Sequence, residues 1–339
     1  MLTFLQAIND SEKYLQRHAL LGNGFSISCR PDIFVYGKLF ERADFSDLSS
    51  SAKLAFEALG TQDFEKVIKV LRDASVVLTA YKGSLNSLIQ QLKEDADGLR
   101  EVLVQAIASS HPEWPGEISD VEYMFCQNFL KNFKNVYTLN YDLLLYWAVM
   151  HDDEDENKIK SDDGFRTPED NFDSEYVVWE AGTSRSQNIW YLHGALHVFD
   201  AGTEIQKYTW VNTGQRLIEQ IRDALERDYF PLFVAEGTSE EKLERIMHSE
   251  YLAKGKRSFS SIGGALFIHG HSLATNDEHF LKTIEKGKIK HLYVGLFGDE
   301  NSPNNKAIKA RALLIASNRA KKKLLNVSFY DSASAKVWG

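Results

Sequence analysis

A chain of 339 residues with 39 Lys and Arg against 48 Asp and Glu has a formal charge of −9 and 43% hydrophobic residues, the make-up of a globular protein with room for two domains. The acidic balance argues against a non-specific polyanion binder, so no direct nucleic-acid binding is expected. Cys29 and Cys126 alone exclude a disulfide framework or a four-cysteine zinc ribbon, and the most apolar stretch, 143–150, is far short of a membrane span. A cytoplasmic protein is expected.

In chain order, Leu2, Leu5, Ile8 and Leu15 fall at helical spacing and predict an amphipathic helix over 2–17. Ala19-Leu20-Leu21 then reads as a short core strand emptying into the turn Gly22-Asn23-Gly24-Phe25-Ser26. From 41 to 133 the periodicity is helical (Leu54, Leu59, Phe64, Val67, Ile68, Leu71, then Leu85, Leu88, Ile89, Leu92), with a loop expected at 111–116, where two prolines and a glycine cluster. Short apolar runs predict strands at 136–140, 189–193, 230–236, 265–271, 291–297 and 325–330. Helices are expected at 215–227, 240–251 and 304–322. The acidic run 152–156, continued by Asp162 and Asp163, reads as a solvated loop, with a metal site as the lesser alternative. Strands alternating with helices give an α/β fold class: a Rossmann-like parallel sheet with helices on both faces. The expected division is 1–40 with 134–339 as the nucleotide-binding domain and 41–133 as a helical insertion.

Four motifs could carry chemistry. In Gly22-Asn23-Gly24-Phe25-Ser26 two glycines let backbone N–H groups approach a pyrophosphate, the alternative being a plain structural turn. Thr138-Leu139-Asn140-Tyr141-Asp142 ends a strand, where the ligand crevice of a parallel sheet lies, although Asn and Asp are also preferred helix caps. His193 in Trp190-Tyr191-Leu192-His193-Gly194 stands at a strand end as a candidate general base, or as a structural histidine. Gly270-His271-Ser272-Leu273-Ala274 is either a serine-hydrolase elbow built on Ser272 or a second small-residue turn beside a ribose, with Asp277 nearby.

In this order the four motifs resemble the sirtuin-like domains of bacterial antiphage NAD hydrolases, over residues 19–331 apart from the insertion. The segment 231–237 sits where sirtuins carry a phenylalanine-glycine-glutamate strand. The resemblance implies NAD as substrate and no metal. Gly22, Asn23, Gly24 and Ser26 would contact its phosphates, and Phe25 would pack beside it. Asn140 would hold the nicotinamide ribose and the attacking water, Asp142 would be its companion carboxylate, and His193 the general base. Gly270, Ser272 and Asp277 would line the adenosine side. Without the four cysteines of sirtuin deacylases, the deacylase substrate module is missing and the NAD-cleaving core remains; residues 30–34 echo the sirtuin loop only loosely. The implied activity is cleavage of NAD to nicotinamide and, with water as nucleophile, ADP-ribose, or a cyclic product if an adenine nitrogen attacks, restrained until infection by homo-oligomerisation or a regulatory partner protein. Residues 41–133 are the candidate interface, or a lid. A non-catalytic NAD-binding or ADP-ribose-binding protein is the other reading.

Overall fold

The computed structural model describes residues 1–81, 85–151, 160–180, 186–210, 212–227, 229–234, 239–319 and 324–339. The elements begin with α1 (Phe4–Ser11), β1 (Arg17–Leu21), α2 (Gly24–Cys29), α3 (Pro31–Phe34), α4 (Tyr36–Arg42), α5 (Ser50–Leu59), α6 (Phe64–Leu78), α7 (Asn86–Ser110) and α8 (Asp120–Leu130). There follow β2 (Asn135–Thr138), α9 (Leu144–Met150), β3 (Phe165–Arg166), β4 (Tyr176–Trp179), β5 (Ile189–Tyr191), β6 (Val198–Asp200) and β7 (Ile205–Tyr208). The chain closes with α10 (Leu217–Glu226), α11 (Ser239–His248), α12 (Glu250–Ser261), β8 (Gly263–His269), α13 (Glu278–Lys286), β9 (Lys288–Leu296), α14 (Pro303–Ser317) and β10 (Asn326–Asp331).

The main sheet has the order β10-β9-β8-β1-β2-β5, and its pairings are parallel. Ala19, Leu20 and Leu21 of β1 are fully buried, as a strand covered on both faces requires. Leu20 pairs with Tyr137 of β2 on one side and with Ile268 of β8 on the other. The strand order therefore reverses between β1 and β8, and at such a switch point the loops leaving the carboxyl ends diverge and open a crevice. This is the expected α/β, Rossmann-like architecture. Among the described residues, no helix is long and apolar enough to cross a membrane.

Some elements differ from expectation. The first helix starts where Thr3 and Gln6 form a capping box but stops at Ser11, because Leu15 points wholly into solvent and supplies no further apolar face. The helix expected at 240–251 is interrupted, with Ser249 capping the new helix α12. At 230–236 no regular strand forms among the described residues: Phe233 makes a single antiparallel bridge to Gly194, and 235–238 lie outside the described residues. A small antiparallel sheet, β3-β4-β7-β6, went unpredicted, its strands being too short to show a period-two pattern. The acidic run at 152–156 lies outside the described residues. Asp162 and Asp163 are not merely solvated, since Asp162 accepts from Arg166 Nη2 at 2.7 Å and Asp163 pairs with the buried Lys207.

The segment between β1 and β2 is helical as expected. Phe40, Phe45, Phe56 and Phe64 form an aromatic cluster inside it, while α8 packs Phe129 against Phe4 and His269 of the sheet core.

Candidate active site

At the switch point the two glycine turns lie against each other. Gly22 N–H donates to His269 O at 2.9 Å and Gly24 N–H to Gly270 O at 2.8 Å. A Cβ on Gly24 would stand 2.6 Å from Gly270 Cα, and Gly270 has φ +70°, so both positions need glycine for the turns to meet. The Gly22 and Gly24 amides, expected to face a phosphate, are thus engaged within the fold. Phe25 N–H and Ser26 N–H also bond inside the turn, to Gly22 O and Asn23 O, so these amides join the fold together.

Beside the turns opens a cavity of about 890 Å³, within the range of small-molecule sites. Gly22, Asn23, Gly24, Asn140, Asp142, His193, Gly270, Ser272 and Asp277 line it. The other two expected contacts stand back from it. Phe25 is buried against the Trp338 ring, whose Nε1 donates to Phe25 O at 2.9 Å. Ser26 is completely buried and works behind the wall. Asn140 Nδ2 donates to Ser26 Oγ at 2.7 Å, and Ser26 Oγ donates in turn to Asp142 Oδ2 at 2.5 Å. Asp142 Oδ1 accepts the Leu144 N–H at the start of α9, although the capping position itself is Leu143. Burial raises the Asp142 pKa against the lowering effect of the Ser26 bond. The chain Asn140, Ser26, Asp142 fixes the Asn140 amide at the cavity wall.

His193 reaches the same cavity from the end of β5. Gly194 follows at φ +81°, where a Cβ would fall 1.8 Å from Leu232 O; only glycine lets this backbone pass. His193 Nε2 lies 3.2 Å from His279 Nε2 and 3.6 Å from Asp277 Oδ1, and Tyr141 stacks its ring over the imidazole. Burial depresses the His193 pKa well below the ordinary histidine value, so the ring is neutral with a lone pair to offer. Asp277 Oδ2 pairs with His271 Nε2 at 2.9 Å. Burial opposes the Asp277 charge, but the Lys242 ammonium and the His271 hydrogen bond hold its pKa well below the usual carboxylate range.

Sequence reasoning missed the charges around this pair. Lys242 of α11, 1% exposed, sits 2.9 Å from Glu65 Oε2 and 3.5 Å from Asp277 Oδ1. Burial opposes its charge, yet Glu65 and Asp277 hold its pKa above the ordinary lysine value. Glu65 comes from α6 and also accepts from Tyr141 Oη at 3.2 Å. The segment 41–133 thus supplies a polar group to the site, and Leu103 and Ile107 of α7 add apolar wall. Only His279, two residues after Asp277, carried any local signal.

Ser272 lacks the geometry of a nucleophile elbow. Its φ is not positive, the left-handed residue is Leu273, and among the described residues no hydrogen bond joins its hydroxyl to a histidine. Two comparisons bear on the whole chain. A search of curated proteins finds no match. A family model, described as a domain of unknown function (DUF4917), matches residues 19–338, and the chain belongs to that family.

Proposed function

We propose that the protein cleaves the bond between nicotinamide and ribose in NAD, giving nicotinamide and ADP-ribose. The observation that carries the reading is the meeting of Asn140 and His193 in one dinucleotide-sized cavity at the switch point of a parallel sheet. The leaving group is already a cationic pyridinium. As the C1′–N bond breaks, its electron pair neutralises the ring nitrogen and positive charge passes to the ribose. The Asn140 amide, held by Ser26, orients the ribose hydroxyls and a water. The water oxygen bonds to C1′ and its proton passes to neutral His193, whose new charge the Asp277 carboxylate at 3.6 Å stabilises. The side-chain-free turns at Gly22, Gly24 and Gly270 let the pyrophosphate run close to backbone, with Ser272 on the adenosine side.

Unrestrained NAD loss is toxic, so the activity suits a regulated effector, antiphage defence by NAD depletion being the role that the resemblance suggests. A homo-oligomer or a partner protein acting on the helical segment 41–133 is the proposed control. The test is chromatography of NAD reactions for nicotinamide, with His193→Ala and Asn140→Ala alongside. Release that each substitution lowers by about 10²-fold or more supports the reading. Variants that retain wild-type turnover overturn the residue assignment, and saturable NAD binding without turnover, including after addition of cell extract from infected hosts, favours a binding protein.

A further inference from the structure

His193, Asp277 and His279 bring their ligand atoms within 4.8 Å of one another, and this cluster is more than a base needs. The separations are 3.2 Å between the two Nε2 atoms and 3.6 Å from His193 Nε2 to Asp277 Oδ1. Ligands about 2.0–2.1 Å from a tetrahedral zinc stand roughly 3.3 Å apart, so little movement would bring all three onto one ion. Asp277 Oδ1 is buried and meets no hydrogen-bond partner closer than Lys242 Nζ at 3.5 Å among the described residues. His279 Nδ1 lies 3.2 Å from Ser239 Oγ, the outer contact that orients a metal-binding imidazole. His193 and Asp277 line the cavity, which leaves a path and a fourth position.

We propose that these three residues form a site for a zinc-class divalent cation, and that a bound cation takes the His193 lone pair and silences the base. Two imidazoles and one carboxylate suit zinc or cobalt rather than magnesium or calcium. Lys242, 3.5 Å from Asp277 Oδ1, is the built-in competitor: to admit the ion its ammonium must leave Asp277 while keeping Glu65. Metal affinity is therefore set by α11 and by the α6 carboxylate that holds Lys242. The silencing rests on the proposed role of His193, whereas the binding does not.

The experiment titrates chelator-treated protein with cobalt(II), following the visible bands of tetrahedral cobalt, and with zinc by calorimetry. One ion per chain is expected. His279→Ala should weaken binding by more than about 100-fold and Ser239→Ala by about 10-fold. The double variant Lys242→Met/Glu65→Gln should tighten it, which no adventitious surface site would do. Thermal melts check that each variant is folded; if His279→Ala is not, the other two decide. Absence of saturable binding, or binding indifferent to these substitutions, overturns the site. In the NAD assay, zinc should suppress nicotinamide release by about 10²-fold or more, reversibly with EDTA. Binding as described without suppression keeps the cation site and removes the base from His193. Binding as described with no nicotinamide release under any condition removes the NAD reading alone.

Discussion

Lys242 is a buried ammonium held between two carboxylates. Its ammonium is shared by Glu65 and Asp277 at the cavity wall, so Lys242→Met leaves both carboxylates without their cation. The expected loss is about 3–5 kcal/mol in urea unfolding, because an uncompensated buried charge remains. Adding Glu65→Gln should restore a good part of it; a double variant as unstable as the single one would refute the pairing. Ser26 is a positioning residue of a different kind. Ser26→Ala removes the acceptor for Asn140 and the donor to Asp142 together, and should lower stability by about 1.5–3 kcal/mol. On the proposed NAD reaction it should depress kcat more than KM, the expectation for a ribose that binds but is held loosely. An unchanged kcat would show that the Asn140 orientation is immaterial.

At the scale of elements, the β1 and β8 turns act as one device. Their glycines were legible in the sequence as turns, but the contact between them was not: the Gly22 and Gly24 N–H groups bond across to His269 O and Gly270 O. No local pattern reports a contact between residues some 245 positions apart. Gly24→Ala would press a methyl against Gly270 and should cost about 1–3 kcal/mol while weakening nucleotide binding. Denaturation and binding measured on one preparation test this, and a neutral outcome on both would contradict the close approach. The helices between β1 and β2 are likewise more than a cover: α6 gives Glu65 and α7 gives Leu103 and Ile107 to the cavity. A partner that shifts α6 would thereby move the counter-ion of Lys242.

For the whole molecule, buried neutral histidines set the response to acid. Burial lowers the pKa of His18 and of His111 to about 4. Each folded value lies below the unfolded one near 6.5, so protons favour the unfolded chain. The stabilisation from the neutral rings is complete above pH 6.5 and is lost as the pH falls toward 4. A shift of that size is worth up to about 3 kcal/mol for the fully enclosed His111, whose Nε2 accepts the Leu143 N–H at 3.1 Å. Urea midpoints should therefore drop over this window, and His111→Gln should flatten part of the slope; a slope unchanged by that substitution would exclude His111 as a contributor.

The sequence by itself determined the class of the fold and, to within two residues, the strand ends at Leu21, Thr138, Tyr191 and His269, because apolar runs of strand length closed by Gly, Asn or His are local patterns. Nine of the eleven residues it marked as site candidates also line the cavity, since a parallel sheet puts the ends of its strands on one edge. Tertiary structure alone decided what those residues touch. The Ser26 bridge, the meeting of the glycine turns and the Glu65, Lys242, Asp277 chain each join segments distant along the chain. Such contacts follow from strand order and helix packing, and a periodicity of two or 3.6 residues carries no information about either.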